Sequence, residues 1–417
     1  MTARLLKNAL VPNSLIERLP GETRADGLTL VDLALQDGRL VETAPEGAVV
    51  EDLGGRLVLP GLVDAHVHLD KTYIVSRTGA ARTGLEEAVL LAIADIPNRS
   101  AEDLRSRMDR AIARALRNGT TAMRTHLDSM QTPSENPAWG VLSEMRARWA
   151  GLMTLEAVAL MRIERALEPG FAARCADIAA HGGLAGGYVS AEGCPPEAVD
   201  AFFLEAAKAG LDVDFHVDES LERDAIGIEN VLDSLARTGF KGRVTLSHCC
   251  ALAAMPEARA EGLIARMAMA GVQVVSLPFS NLYLQDRVPG RTARMRGLTL
   301  VQELRAAGVP VAFASDNVQD PFYPFGNYDL LEILRQGMIA TQLEAAPEDW
   351  IASITATPAG IMGLPIGRIA PGAAADLVVF DAQDWTDLLS RAHEDRRVIR
   401  AGRDLSTLTL PPALEAR

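Results

Sequence analysis

Residues 57–72 read Leu57-Val58-Leu59-Pro60-Gly61-Leu62-Val63-Asp64-Ala65-His66-Val67-His68-Leu69-Asp70-Lys71-Thr72. The apolar, β-branched run broken by Pro60-Gly61 predicts a buried strand entered through a turn. His66 and His68 stand two residues apart near its end. Side chains two apart on a strand leave by the same face, so both imidazoles aim at one spot. Two neutral imidazoles converging there suit a borderline-soft divalent ion such as Zn²⁺ or Fe²⁺. By itself such a pair reads equally well as two ordinary core or surface histidines.

Downstream, the pattern alternates helix and strand. Leu104, Met108, Ile112 and Leu116 recur every four residues, and Asn118-Gly119 supplies a helix stop. Strands are predicted at 121–128, 155–160, 186–190, 213–216, 244–248, 272–277 and 309–316, with a helix at 141–149 between the first two. With the opening strand these make eight, the number for a closed (β/α)8 TIM barrel whose site lies at the C-terminal strand ends. Before the barrel, short strands are expected at 3–10, 29–35 and 39–42, separated by turns at Gly27 and Asp37-Gly38. After it, strands at 375–380 and 397–402 can pair with them. The expected organisation is a composite β-sandwich from residues 1–58 and 365–417, flanking a metal-binding barrel at 59–364.

Composition bounds the function. The 417 residues carry 41 Lys+Arg against 55 Asp+Glu, a net charge of −14, with 48% hydrophobic and 23% charged residues. A large core is expected, and a nucleic-acid-binding surface, which wants the opposite sign, is set aside. No stretch has the length and apolarity of a membrane span, and no secretion leader is read at the N-terminus. Cys175, Cys194, Cys249 and Cys250 lack CxxC or framework spacing, which reads as free thiols in a reducing cytoplasm.

At the same barrel end the pattern places His66, His68, His216, His248 and Asp316. Three imidazoles and a carboxylate match the ligands of a catalytic divalent ion that keeps a position open for water. Such an ion brings that water's pKa toward neutrality. Glu219, three residues past His216, has a carboxylate able to carry protons there; a helix-start carboxylate is the other reading of it.

Pro60-Gly61-Leu62-Val63-Asp64-Ala65-His66-Val67-His68, His216, Ser247-His248 and Ser315-Asp316 resemble the amidohydrolase superfamily. Arg124-Thr125-His126-Leu127-Asp128, His216-Val217-Asp218-Glu219, Asp286-Arg287 and the run from Asp316 to Gly326 resemble its cytosine deaminase branch. The likeness spans nearly the whole chain. It implies one Zn²⁺ or Fe²⁺ on His66, His68, His216 and Asp316, with His248 beside the reacting water and Glu219 as proton carrier. It also implies a small heterocyclic substrate and a homo-oligomer. His126 is a candidate for touching that substrate.

Two departures bear on the substrate. Arg162 aligns where that branch has a glutamine that reads the pyrimidine, while Asn317 and Phe322 replace an aspartate and a tryptophan. An arginine favours a carbonyl, an imidate-like oxygen or a carboxylate over cytosine. Lys71, in the Asp70-Lys71 pair also seen in the branch acting on N-alkylated triazines, is a further candidate; a solvated loop lysine is the alternative. The fourth strand has no lysine for carbamylation, which argues against a bridged two-metal site. The expected activity is hydrolytic deamination of an amino-substituted N-heterocycle. The alternatives are alkylamine release of the triazine type, cyclic amide opening, or a non-catalytic metal-binding scaffold.

Overall fold

Pro60 and Gly61 divide the opening stretch between two sheets, where the sequence pattern predicts one strand. The computed structural model describes residues 3–411, so the expected end domain's residues 1–2 and 412–417 lie outside it. Six strands precede the break: β1 (Arg4–Pro12), β2 (Glu22–Thr23), β3 (Leu28–Gln36), β4 (Arg39–Val41), β5 (Val49–Asp52) and β6 (Leu57–Pro60). Eight follow: β7 (Leu62–Val67), β8 (Thr120–Asp128), β9 (Thr154–Arg162), β10 (Gly183–Val189), β11 (Val213–Val217), β12 (Val244–His248), β13 (Gln273–Ser276) and β14 (Val311–Phe313). The last three are β15 (Leu377–Phe380), β16 (Arg397–Arg400) and β17 (Arg403–Asp404).

Strands β7 to β14 pair in sequence order, all parallel, with helices in the connections. The sheet returns on itself where Val67 bridges Asp316, the Asp316 N–H donates to the His66 carbonyl at 2.8 Å, and the Ser315 N–H donates to Asp64 at 3.1 Å. This is the expected TIM-like barrel, closed through the very residues at the His66 end.

The chain ends form one mixed sheet of nine strands in the order β17-β16-β15-β6-β1-β3-β2, with β4 on β3 and β5 on β1. Antiparallel pairing of Leu377–Phe380 with Leu57–Pro60 joins the two termini. Its core gathers Leu6, Leu33, Val58, Leu377 and Ile399 from both. The two chain ends are therefore joined into one sheet that is continuous in its hydrogen bonds. Two glycines seat it on the barrel by close approach. A Cβ at Gly61 would lie 2.3 Å from Thr121 Cγ2, and one at Gly119 (φ +96°) 2.4 Å from Val378 Cγ2.

The Ala101–Arg117 helix shows how the connections are fixed. Ser100 accepts from the Asp103 N–H at 3.2 Å as N-cap, and Leu104, Met108, Ile112 and Leu116 are all buried. The helix predicted at 141–149 spans Pro137–Arg148, started by Asn136, which accepts from the Ala138 N–H.

Candidate active site

Four side chains meet at the C-terminal mouth, His66 and His216 from strands β7 and β11, and His68 and Asp316 from just past the ends of β7 and β14. His66 Nε2 lies 3.3 Å from His68 Nε2, which lies 3.4 Å from His216 Nε2. Asp316 Oδ1 is 3.4 Å from His66 Nε2 and 3.2 Å from His68 Nε2. For ligand bonds of 2.0–2.1 Å, the edge of a tetrahedron is about 3.3–3.4 Å. These four separations match that edge. Burial keeps His66 and His216 neutral: the His66 pKa falls to about 3, with neighbouring His126 adding to the effect, and that of His216 lies well below its usual value. Neutral nitrogens turned toward one another, with Asp316 Oδ1 lacking any hydrogen-bond partner, fit a divalent cation.

On His66 and His68 the opposite ring nitrogens are tied down, whereas His216 Nδ1 has no partner. Ser247 Oγ meets His66 Nδ1 at 2.9 Å and Asp214 at 3.2 Å, while His68 Nδ1 contacts the His126 carbonyl at 3.1 Å. These bonds leave the Nε2 atoms of His66 and His68 to face an ion. Asp316 has its other oxygen on Ser280. Burial opposes its charge, but the contacts with His66 and His68 hold its pKa well below the usual carboxylate range. Asp316 (φ +55°) and His248 (φ +71°) both adopt left-handed backbone, sparsely populated for side-chain-bearing residues.

Glu219 stands beside this tetrad. Its Oε1 is 3.4 Å from His248 Nδ1, and it is 7% exposed. The turn carrying it is anchored by Asp218, whose two oxygens accept from the N–H groups of Gly227 (2.9 Å) and Ile228 (3.0 Å). Burial pushes the Glu219 carboxyl well above its ordinary pKa and nearby Asp316 adds to the shift, while Lys71 opposes it. A carboxyl raised in this way holds a proton more readily than an exposed glutamate does, as a proton-transfer group requires.

The remaining candidates separate. Lys71 is buried, bonded to Asp128 at 2.5 Å, with its Nζ 5.6 Å from the centre of the Phe322 ring. Asn317 donates to Asp320 at 2.6 Å, and Asp320 accepts from the Phe322 N–H at 2.9 Å, so this pair sets where Phe322 lies. Phe322 packs with Ala81, Leu85, Ala88, Tyr283 and Leu284 over the mouth. His126 stacks on His66 with ring centres 3.8 Å apart and is fully buried. That places it in the packing behind the ligand ring. Arg162 joins none of these groups by a bond: its side chain is 71% exposed and pairs with Glu164 at 3.4 Å.

Ser247, Asp214, Ser280, Asn281 and Asp128 were not singled out in the sequence, although they hold the site. Ser247 precedes His248, and Ser280-Asn281 lies in the Pro278–Leu284 helix that follows β13. Adjacency to a strand end was the available signal, and small polar residues there are too common to stand out.

A barrel whose mouth gathers three imidazoles, a carboxylate and a second, buried carboxyl is the site of a metal-dependent hydrolase. The amidohydrolase family model matches residues 75–409, and the chain belongs to that family. It is 38% identical over 407 residues to a pterin deaminase from Rhizobium rhizogenes, covering 96% of this chain and 93% of that one. The crystal structure of 5-methylcytosine deaminase from Klebsiella pneumoniae with phosphonocytosine matches at a TM-score of 0.82 and 26% identity, covering 98% and 99% of the two chains. That of N-isopropylammelide isopropylaminohydrolase from Burkholderia multivorans matches at 0.76 and 28%, covering 97% and 98%. With the tetrad, these likenesses make the chain a hydrolase of carbon–nitrogen bonds in cyclic amidines, deaminating an N-heterocycle. Among the described residues no helix is long and apolar enough to cross a membrane.

Proposed function

We propose that the heterocycle is a pterin-like 2-amino-4-oxo ring, deaminated to the corresponding dioxo ring with release of ammonia. The observation that carries the reaction is the buried Glu219 carboxyl, 3.4 Å from His248 beside a tetrad of metal-ligand spacing. The ring class is supported by 38% identity over 96% of the chain to a pterin deaminase. His66, His68, His216 and Asp316 would hold one Zn²⁺ or Fe²⁺, which would supply a Lewis-acid centre at which water loses a proton near neutral pH. Glu219 takes that proton and passes it to the ring nitrogen next to the amino-bearing carbon. His248 holds the oxygen that adds to this carbon. Glu219 then takes the proton of the added hydroxyl and delivers it to the departing amine, the C–N bond breaks, and a carbonyl remains. Lys71, Asn317 and Phe322 line the ring's side of the site, with Arg162 at its outer edge. We place the enzyme in the cytoplasm as a homo-oligomer, with catalysis in the 59–364 barrel and the terminal segments, 1–58 and 365–417, as a flanking domain.

The test is a turnover panel of pterin, 5-methylcytosine and N-isopropylammelide with Zn²⁺- and Fe²⁺-loaded enzyme. The expected result is ammonia release with the highest kcat/KM on pterin; preferential isopropylamine release would overturn the ring assignment. Glu219→Gln should retain metal and lose roughly 10²–10⁴ in turnover, the range of a positioned proton carrier. A variant with parental kcat would remove Glu219 from the mechanism.

A further inference from the structure

One short segment touches every proton-handling group of the site. The Pro278–Leu284 helix follows β13 and carries Ser280 onto Asp316 and Asn281 Nδ2 to within 3.1 Å of His248 Nδ1. Just past it, Gln285 Nε2 donates to the Glu219 carbonyl at 3.2 Å. Its outer side meets the cover of the mouth, where the Tyr283 hydroxyl donates to the Ala81 carbonyl at 2.9 Å.

We propose that Asn281 is a positioning residue that sets the tautomer of His248: its amide donates to Nδ1, so the imidazole proton stays on Nε2. A neutral imidazole has one donor and one acceptor nitrogen, and the partner of one decides the role of the other. The left-handed backbone at His248 fixes where the ring points, which leaves the proton's position to its neighbours. Asn281 is 1% exposed, and its amide nitrogen is bonded to that ring while its oxygen has no partner. His248 Nε2 has no protein partner either. It is the nitrogen left to donate to an incoming oxygen. With the proton on Nδ1 instead, Nε2 would present a lone pair to that oxygen and repel it. A Glu219 carboxyl carrying its proton presents a second donor to the same Nδ1, 3.4 Å away, so Asn281 and the protonated Glu219 favour the same tautomer.

The inference rests on the deaminase reading for its meaning, but its test does not require turnover. Zn²⁺-loaded protein with ¹⁵N-labelled histidine, without substrate, reports which His248 nitrogen carries the proton; His248→Gln identifies its signals. The parent should show a bare Nδ1 and a protonated Nε2. Asn281→Asp, nearly isosteric but an acceptor, should move the proton to Nδ1. Its kcat should fall roughly 10- to 100-fold, the usual effect of losing such a supporting partner, with KM and bound zinc unchanged. A protonated Nδ1 in the parent overturns the proposal with no variant needed, which covers the case in which Asn281→Asp fails to fold. The parental tautomer persisting in a folded Asn281→Asp also overturns it and reduces Asn281 to packing.

Discussion

Two buried polar clusters lie two residues apart on the same loop, and they are built on opposite rules. At His66 and His68, nitrogen lone pairs face one another, and Asp316 Oδ1, His248 Nε2 and both His126 nitrogens have no hydrogen-bond partner. At Asp70 and Lys71, charges are matched. Lys71 meets Asp128 at 2.5 Å, Arg99 meets Asp128 at 3.0 Å, and Asp70 accepts from the Asp128 N–H at 2.9 Å. The network runs on to the surface through Arg99 and Asp95 (3.5 Å), Arg77 and Asp95 (2.7 Å), and Arg77 and Asp103 (2.6 Å). Buried polar atoms are normally satisfied, because leaving one unpaired costs about 1–3 kcal/mol. A cluster that breaks this rule several times over is shaped for something that arrives later. The Asp70–Lys71 cluster leaves Asp70 Oδ1 and Arg99 Nε without a hydrogen-bond partner, but each of its charges faces an opposite one, and it is scaffold.

The largest effect should come from breaking the first cluster. His216→Ala removes one corner of the tetrad, so divalent metal and activity should disappear together, read by elemental analysis and ammonia release. The parent should hold one divalent ion per chain; two per chain in active enzyme would sink the mononuclear reading.

Breaking the second cluster should affect stability instead. Asp128→Asn leaves Lys71 and Arg99 sharing fewer carboxylates. Removing one partner of a fully buried pair costs about 3–5 kcal/mol. The Asp128 side chain is 29% exposed, so water shares the burden and about 1–3 kcal/mol is expected from denaturant unfolding. Lys71→Met should cost less, since Asp128 keeps Arg99. Metal content should be unchanged in both variants. If Asp128→Asn lost its metal, the two clusters would be one unit and the contrast between them would fail.

The same contrast explains what could be read in advance. The candidate site histidines were legible because histidines are rare and each stands at a strand end that a local pattern reveals: His66 and His68 near the end of β7, His216 on β11, His248 closing β12. The barrel was legible for the same reason, since its strands are continuous buried runs. Partnership across the fold was not. Asp128 was quoted only as part of a motif, because nothing local says that Lys71, 57 residues away, ends on it. Strands β2 and β5 were missed because they are short, largely exposed edges, with burial patterns lacking any alternation. Their pairing is made by β3 and β1, not by their own residues.

Arg162 tests the boundary between the two rules, because it is neither buried nor orphaned. It ends β9 in register with Tyr188 of β10. Burial pushes the Tyr188 phenol up to about 12, the Glu219 charge adds to this, and Arg162 opposes it. Tyr188 therefore lies within electrostatic reach of both Arg162 and Glu219. A guanidinium at the rim can meet the oxygen-bearing edge of a ring, but with its side chain 71% exposed the attraction acts through water. Arg162→Gln should lower kcat/KM on the preferred ring by roughly two- to fivefold, about 0.5–1 kcal/mol, the scale of an exposed charge contact. Tm should not move, since the pair with Glu164 is itself exposed. The loss should shrink as salt is raised, because screening acts on exposed charges first. A hundredfold loss independent of salt would mean that the arginine folds into a closed pocket when substrate binds. Kinetics equal to the parent would take Arg162 out of recognition and leave ring choice to Lys71, Asn317 and Phe322.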